Sequence, residues 1–233
     1  MTIEAIILFV LMIIASYFIG NISFAILLSK TKKQDITKMG SGNPGTMNML
    51  RNFGAKLGAL TLVLDALKAA IPCLIALLIF SQFNFGYEAL YSVGIACILG
   101  HMYPICRKFK GGKGMASALG VFIVANPLWT FVCFVVAFVY LYFFDYGAIA
   151  SFLVLTTMAV LQGIAPGTSL ISSILIFVLF ALVIFAHRTN IGRLMIGNEG
   201  KVHLKKTLKK IGMKKSIKQK HQDKKEEKKR DIG

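Results

Sequence analysis

A chain of 233 residues that is 56% hydrophobic and only 16% charged carries more apolar side chain than a water-soluble domain of this size buries, and its uncharged stretches reach bilayer length. The formal net charge of +17 would suit nucleic acid, but the 27 Lys and Arg fall in four blocks: Lys30 to Lys68, Arg107 to Lys113, Arg188 to Arg193, and a tail from Lys201. That distribution argues against nucleic acid and for loops held on the cytoplasmic side of a membrane, where Lys and Arg are retained.

The first apolar stretch has no charge between Glu4 and Lys30 and no small-residue cleavage pattern after it, so it reads as a retained helix. Two more spans are expected near residues 57 to 81 and 89 to 106. The connections QFNFGYE, ANP and QGIAPGTS carry no basic residue and belong to the opposite compartment. Both Lys113 and Arg188 are cytoplasmic, so an even number of crossings separates them. Turn signals at Asn126-Pro127 and Ala165-Pro166-Gly167 argue for four. The expectation is an all-α integral membrane protein of seven transmembrane helices, N-terminus outside and C-terminus cytoplasmic. Gly114 to Phe144 offers 31 residues for two of those crossings, where a full span takes about 20, so one must be short.

Residues 1 to 200 form the membrane domain in this reading, and 201 to 233 a basic cytoplasmic tail. Leu204, Leu208 and Ile211 recur at helical spacing among lysines, which predicts a basic amphipathic helix over 202 to 217 on anionic lipid. The remainder of the tail reads as disordered. Removing the tail is expected to weaken lipid attraction more than activity. The four cysteines lie in or beside apolar segments without a CxxC pair, and are assigned to packing, with no disulfide, metal or cofactor expected.

The chemistry gathers in the cytoplasmic loops. The first carries DITKMGSGNPGTMNMLRNFGAKLG. Its Gly40-Ser41-Gly42-Asn43-Pro44-Gly45 matches G-x-G-x-x-G, but no strand precedes it, so it is no dinucleotide fingerprint. What remains is a glycine-rich turn with Ser41 and Asn43 as donors and Arg51 as a bidentate anion ligand. The second loop, GHMYPICRKFKGGKG, sets His101 at a helix end and Lys110 and Lys113 around Gly111-Gly112, a phosphate-type grip. It is not a Walker A loop, because Arg107 stands where the first glycine is required. The third connection is the short FDYGAIAS. The fourth, AHRTNIGRLMIGNEG, brings His187, Asn190, Arg193 and Glu199, with His187 and Asn190 on one helical face. Asp65 and Lys68, three apart in the second span, read as a charge-neutralising pair.

In this order, GSGNPGTMNMLR, DALKAAIP, GHMYPICRKFKGGKGMASALG and HRTNIGRLMIGNEG resemble the bacterial acyl-phosphate:glycerol-3-phosphate acyltransferase family over residues 1 to about 200. The resemblance implies a seven-helix enzyme of the bacterial cell membrane with its active site at the cytoplasmic face. It implies transfer of a fatty acyl group from acyl phosphate to position 1 of sn-glycerol 3-phosphate, giving lysophosphatidic acid and phosphate. By the same resemblance Ser41 and Arg51 match phosphate-contacting positions, Lys113 the lysine of the glycine-rich motif, and His187 and Asn190 the histidine and asparagine of the final motif. With the loop chemistry added, Lys113, His187 and Ser41 are the catalytic candidates, and Arg51, Asn43, Asn48, Gly111, Gly112, Gly114, His101, Asn190 and Arg193 the substrate-binding ones. Two positions depart from the family pattern: Met47 replaces a threonine, and Ala148 stands where a serine is expected, with Thr46 and Ser151 as nearby hydroxyls.

An acyl phosphate needs no enzyme nucleophile, so the site's work is positioning and charge control. Lys113 and the amides of Gly111, Gly112 and Gly114 are assigned to the acyl phosphate, and Arg51, His187 and Asn190 to glycerol 3-phosphate. The proton acceptor is either His187 or a substrate phosphate oxygen. The phosphate is favoured because no carboxylate at an obvious spacing orients His187. A transporter of phosphorylated metabolites and a retuned paralogue are the alternatives. An acyl-CoA enzyme of the H-x4-D kind is not, since Cys106, Gly192, Leu208 and Glu226 occupy the aspartate positions.

Overall fold

Ten α-helices follow one another up to Met195, and the start of a further one at 204, with no strand among the described residues, which in this computed structural model are 1–165 and 167–209. They are α1 (Ile3–Gly20), α2 (Phe24–Lys30), α3 (Thr46–Phe53), α4 (Ala55–Phe80), α5 (Gly86–Met102), α6 (Met115–Ala125), α7 (Pro127–Phe144), α8 (Gly147–Gly163), α9 (Leu170–Ala186) and α10 (Arg188–Met195). Short 3-10 turns interrupt the loops at 36–38, 81–83 and 105–107.

Their boundaries follow local chemistry. Asn126 caps α7 by accepting from the Trp129 N–H at 3.3 Å, with Pro127 at the first helical position, where its missing donor costs nothing. Ser169 caps α9 in the same way, at 3.1 Å from the Ser172 amide. Both turn signals read from the sequence therefore sit at real helix breaks. The first apolar stretch is not one helix: α1 ends at Gly20, and α2 resumes at Phe24.

Helix α5 is the hub, packed against α1, α4, α6 and α9, and its side chains are the most enclosed of the set. The α1–α5 crossing is set by glycine. A Cβ on Gly20 would run into the Cys97 carbonyl, and one on Gly100 into the Tyr17 carbonyl, so the two backbones touch. Tyr17 Oη then donates to the Tyr103 carbonyl at 2.8 Å, and Ser16 Oγ to the Val93 carbonyl at 2.9 Å.

Large apolar side chains such as Leu11, Leu78, Phe131, Phe143 and Phe177 point outward while Asp65, Lys68 and His101 are buried. This inverted distribution suits a lipid solvent, and the helices make a membrane protein of it. Four helical stretches are long and apolar enough to cross a bilayer, or five if α9 and α10, bent by 56° to one another, count as one. The other two, α6 with 11 residues and α8 with 17, are shorter. Eleven helical residues reach about 16 Å against a hydrocarbon core of about 30 Å, so α6 by itself falls short of a full span.

The expected tail helix begins at residue 204, and its continuation to 217 lies beyond the described residues. Its apolar side does not face lipid at this end. Val202 and Leu204 are only 3% and 4% exposed, joined to the main core, because Asp145 draws the segment back onto the protein. The Asp145 carbonyl accepts from the Val202 N–H at 2.9 Å, and its carboxylate accepts from the Leu204 N–H at 2.7 Å.

Candidate active site

A cavity of about 360 Å³ lies where the first loop, the 107–114 loop, the α7–α8 connection and the α9–α10 junction converge. One end is polar, with Ser41, Asn43, Arg51, Lys113, His187 and Asn190; the other is an apolar trough walled by Leu62, Leu119, Phe134, Phe138 and Leu141.

The polar end is one connected network. Lys113 Nζ donates to Asn190 Oδ1, Asn190 Nδ2 donates to Glu199 Oε1 at 2.7 Å, and Arg193 Nε meets Glu199 Oε2 at 2.8 Å. Arg51 reaches the same place from α3, donating to the Gly200 carbonyl, while its buried Nε has no partner among the described residues. Three cations thus surround one carboxylate. Burial first, then the nearby Arg193, brings the Lys113 ammonium down to about 8. Burial also lowers Arg51, which remains a cation.

His187 follows α9, with Nδ1 2.8 Å from the Val183 carbonyl. A carbonyl only accepts, so Nδ1 carries the proton and Nε2 has the free lone pair. Burial, partly offset by that hydrogen bond, holds its pKa down to about 4, so the ring is neutral at physiological pH. The orienting group missing from the sequence reading is thus a backbone oxygen one helical turn back.

Asn48 and the glycine pair behave differently from expectation. Asn48 is 2% exposed; its amide donates to the Met39 and Ile36 carbonyls at 2.9 and 3.3 Å, and its oxygen accepts from the Ser41 N–H at 3.2 Å. It shapes the first loop and leaves no donor for a ligand. Gly111 and Gly112 are not part of the cavity wall. The Gly112 N–H is taken by the His101 carbonyl at 3.0 Å, and a Cβ on Gly112 would overlap the His101 ring. A Cβ on Gly111 would overlap the His101 carbonyl and crowd that of Met102. The pair is glycine so that this loop can close the end of α5. Free amides come instead from the start of α6, where Gly114, Met115 and Ala116 line the cavity and the first-turn N–H groups lack intrahelical partners. Gly114 initiates that helix at φ +80°, a conformation that favours glycine.

His101 is 3% exposed, with Nδ1 2.8 Å from Lys68 Nζ. Lys68 also lies 2.8 Å from Asp65 and donates to the Ile22 carbonyl at 2.7 Å. The expected Asp65–Lys68 pair is present, and it ties α1, α4 and α5 together beneath the glycine loop. Thr46 Oγ1 is buried without a partner among the described residues beside the cavity, near Met47 and Ala148, whereas Ser151 Oγ donates to the Gly147 carbonyl at 2.9 Å.

The family model described as glycerol-3-phosphate acyltransferase matches residues 10–197. This chain belongs to the glycerol-3-phosphate acyltransferase family. A relative of that name from Neisseria meningitidis serogroup C is 38% identical over 190 residues, covering 80% of this chain and 94% of the relative. One from Aquifex aeolicus is 37% identical over 191 residues, covering 81% and 96%. Among solved structures, PlsY, an integral membrane glycerol 3-phosphate acyltransferase, is similar in its glycerol 3-phosphate form with a TM-score of 0.75 and 36% identity, covering 83% of this chain and 94% of PlsY. Its lysophosphatidic acid form gives the same TM-score at 35% identity, covering 86% and 98%. The hold of Asp145 on the tail was not anticipated from the sequence. Glu199, named in the sequence with His187, Asn190 and Arg193, proves to bridge Asn190 to Arg193. It is the sole acidic residue between Asp145 and Asp223.

Proposed function

We propose that this glycerol-3-phosphate acyltransferase takes its acyl group from acyl phosphate and places it on the 1-hydroxyl of sn-glycerol 3-phosphate, making lysophosphatidic acid and phosphate as the first step of phospholipid synthesis. The observation that carries the reading is the single cavity that joins three cations to an apolar trough. Two phosphates repel one another, and this is the charge needed to hold both; the trough suits the fatty chain.

Lys113 with the amides at the start of α6 takes the acyl phosphate. Arg51, whose buried Nε awaits an acceptor, takes glycerol 3-phosphate with Asn190, Arg193 and His187; Ser41 and Asn43 close the phosphate end. Asn48, Gly111, Gly112 and His101 act as positioning residues. The glycerol oxygen attacks the acyl carbonyl, the carbonyl–phosphate C–O bond breaks, and the phosphate departs with that electron pair. The hydroxyl proton passes to a phosphate oxygen. His187 at a pKa of about 4 is a weak acceptor, and phosphate at about 6 is the better one. Thr46 Oγ1 supplies the hydroxyl that Met47 and Ala148 lack.

The same reading gives seven crossings, with the active site on the cytoplasmic side of the bacterial cell membrane and the basic tail attracted to anionic lipid. Its support is the sorting of the loops: those carrying basic residues converge on this cavity, while Ser81, Asn126 and Thr168 of the basic-free connections line a separate pocket. The deciding experiment is phosphate release by purified protein in lipid, given palmitoyl phosphate with and without sn-glycerol 3-phosphate. Release that depends on glycerol 3-phosphate, with lysophosphatidic acid formed, supports the reading; acylation from acyl-CoA alone overturns it.

A further inference from the structure

We propose that Leu204 and Leu208, at the start of the C-terminal segment, set the length of acyl chain that the cavity accepts. The inference rests on the acyl-phosphate reading of this cavity.

Both leucines line the cavity that holds Lys113 and Arg51, on the side of Leu141 and Phe138. Leu204 is 4% exposed and Leu208 37%, so Leu204 is the more enclosed of the two. They are held there by a clasp separate from the membrane helices. Asp145 takes the Val202 and Leu204 amides, Lys201 lies 5.6 Å from the Tyr146 ring, and Lys205 lies 5.5 Å from the Tyr142 ring. Val202 fills the space against Gly147, where the next Cβ would meet it at 3.3 Å.

This wall is drawn from outside the part of the chain that the family model matches, which ends at residue 197. The polar end of the cavity is built by membrane helices and loops inside the match, whereas this stretch of the apolar wall is a strap added to it. A fatty chain fixed at its carbonyl by the phosphate grip runs along the trough until it meets a side chain. Replacing leucine by alanine removes three carbons of that wall. Each chain methylene newly withdrawn from water is worth about fourfold in binding.

The test is a length series of acyl phosphates from ten to eighteen carbons, run on the full chain in lipid with fixed sn-glycerol 3-phosphate. Leu204→Ala should raise the eighteen- to fourteen-carbon ratio of kcat/KM by about tenfold. Leu204→Phe should lower it, and Leu208→Ala should move it in the same direction as Leu204→Ala by less. The KM for glycerol 3-phosphate should stay within about twofold throughout. Alanine and phenylalanine variants that both lose activity evenly across the series, or leave the ratio unchanged while wild type turns over, overturn the inference. Wild-type protein that acylates only from a thioester overturns the donor reading instead, and the same length series on that donor then decides the part played by the two leucines.

Discussion

Arg51 approaches the cavity from α3 and Lys113 from the loop before α6, and their replacement separates the two substrates of the proposed reaction. Arg51→Ala should raise the KM for glycerol 3-phosphate by about tenfold or more, the worth of a charge-assisted hydrogen bond, and initial rates against glycerol 3-phosphate measure it. Lys113→Ala should lower kcat/KM for acyl phosphate by on the order of a hundredfold. The pH dependence follows from the same lysine. Its ammonium is brought down to about 8 by burial and the nearby Arg193, so it is a cation below that value and loses its charge as pH rises through it. The kcat/KM for acyl phosphate, which reports the free enzyme, should fall above about pH 8, while kcat falls at higher pH because bound phosphate favours the charged form. His187→Gln should keep most of its kcat, since a ring with a pKa of about 4 contributes position more than basicity. A loss of several hundredfold would make His187 the base. These residue types were legible from their loops. The lone pair on His187 Nε2 was not, because it depends on a backbone oxygen at Val183 that no side-chain spacing reveals.

The glycine loop shows how an element can be recognised for the wrong reason. A Gly-Gly pair between lysines reads as an anion cradle, yet the Gly112 amide belongs to the His101 carbonyl and the pair lies against the end of α5. Sequence spacing gives backbone freedom but not the direction of an amide, and the free amides belong to the start of α6, three residues further on. Gly112→Ala, with no space beside His101, should displace Lys113 and lower kcat/KM for acyl phosphate by about tenfold or more, and thermal unfolding should occur at a lower temperature. Full activity in that variant would mean that the loop tolerates a shift the packing does not suggest. The start of α7 was readable from Asn126-Pro127, while the Ser169 cap on α9 was not singled out beside the turn signal before it. The tail was readable as amphipathic but not as docked, because periodicity cannot distinguish a lipid face from a protein face, and the Asp145 clasp joins residues far apart in sequence.

For the whole molecule, the membrane character was evident from composition, and the breaks near Asn126 and Gly167 from turn residues, whereas the break between α1 and α2 was not read from the sequence. The shared cavity could be anticipated only as loops on one side of a bilayer. A cysteine placed at Asn84 should react with an impermeant thiol reagent added outside intact cells, while Cys106, already exposed, should react only after lysis. The reverse pattern would invert the orientation. Three cations around Glu199 have a further consequence, for turnover of the protein itself. These like charges repel one another, and an anion held among them binds the folded chain and not the unfolded one, so by mass action a ligand at a hundred times its Kd contributes about 2.7 kcal/mol. Inorganic phosphate alone should therefore slow proteolysis in the membrane, and the lifetime of the protein should follow the supply of the phosphorylated compounds it consumes.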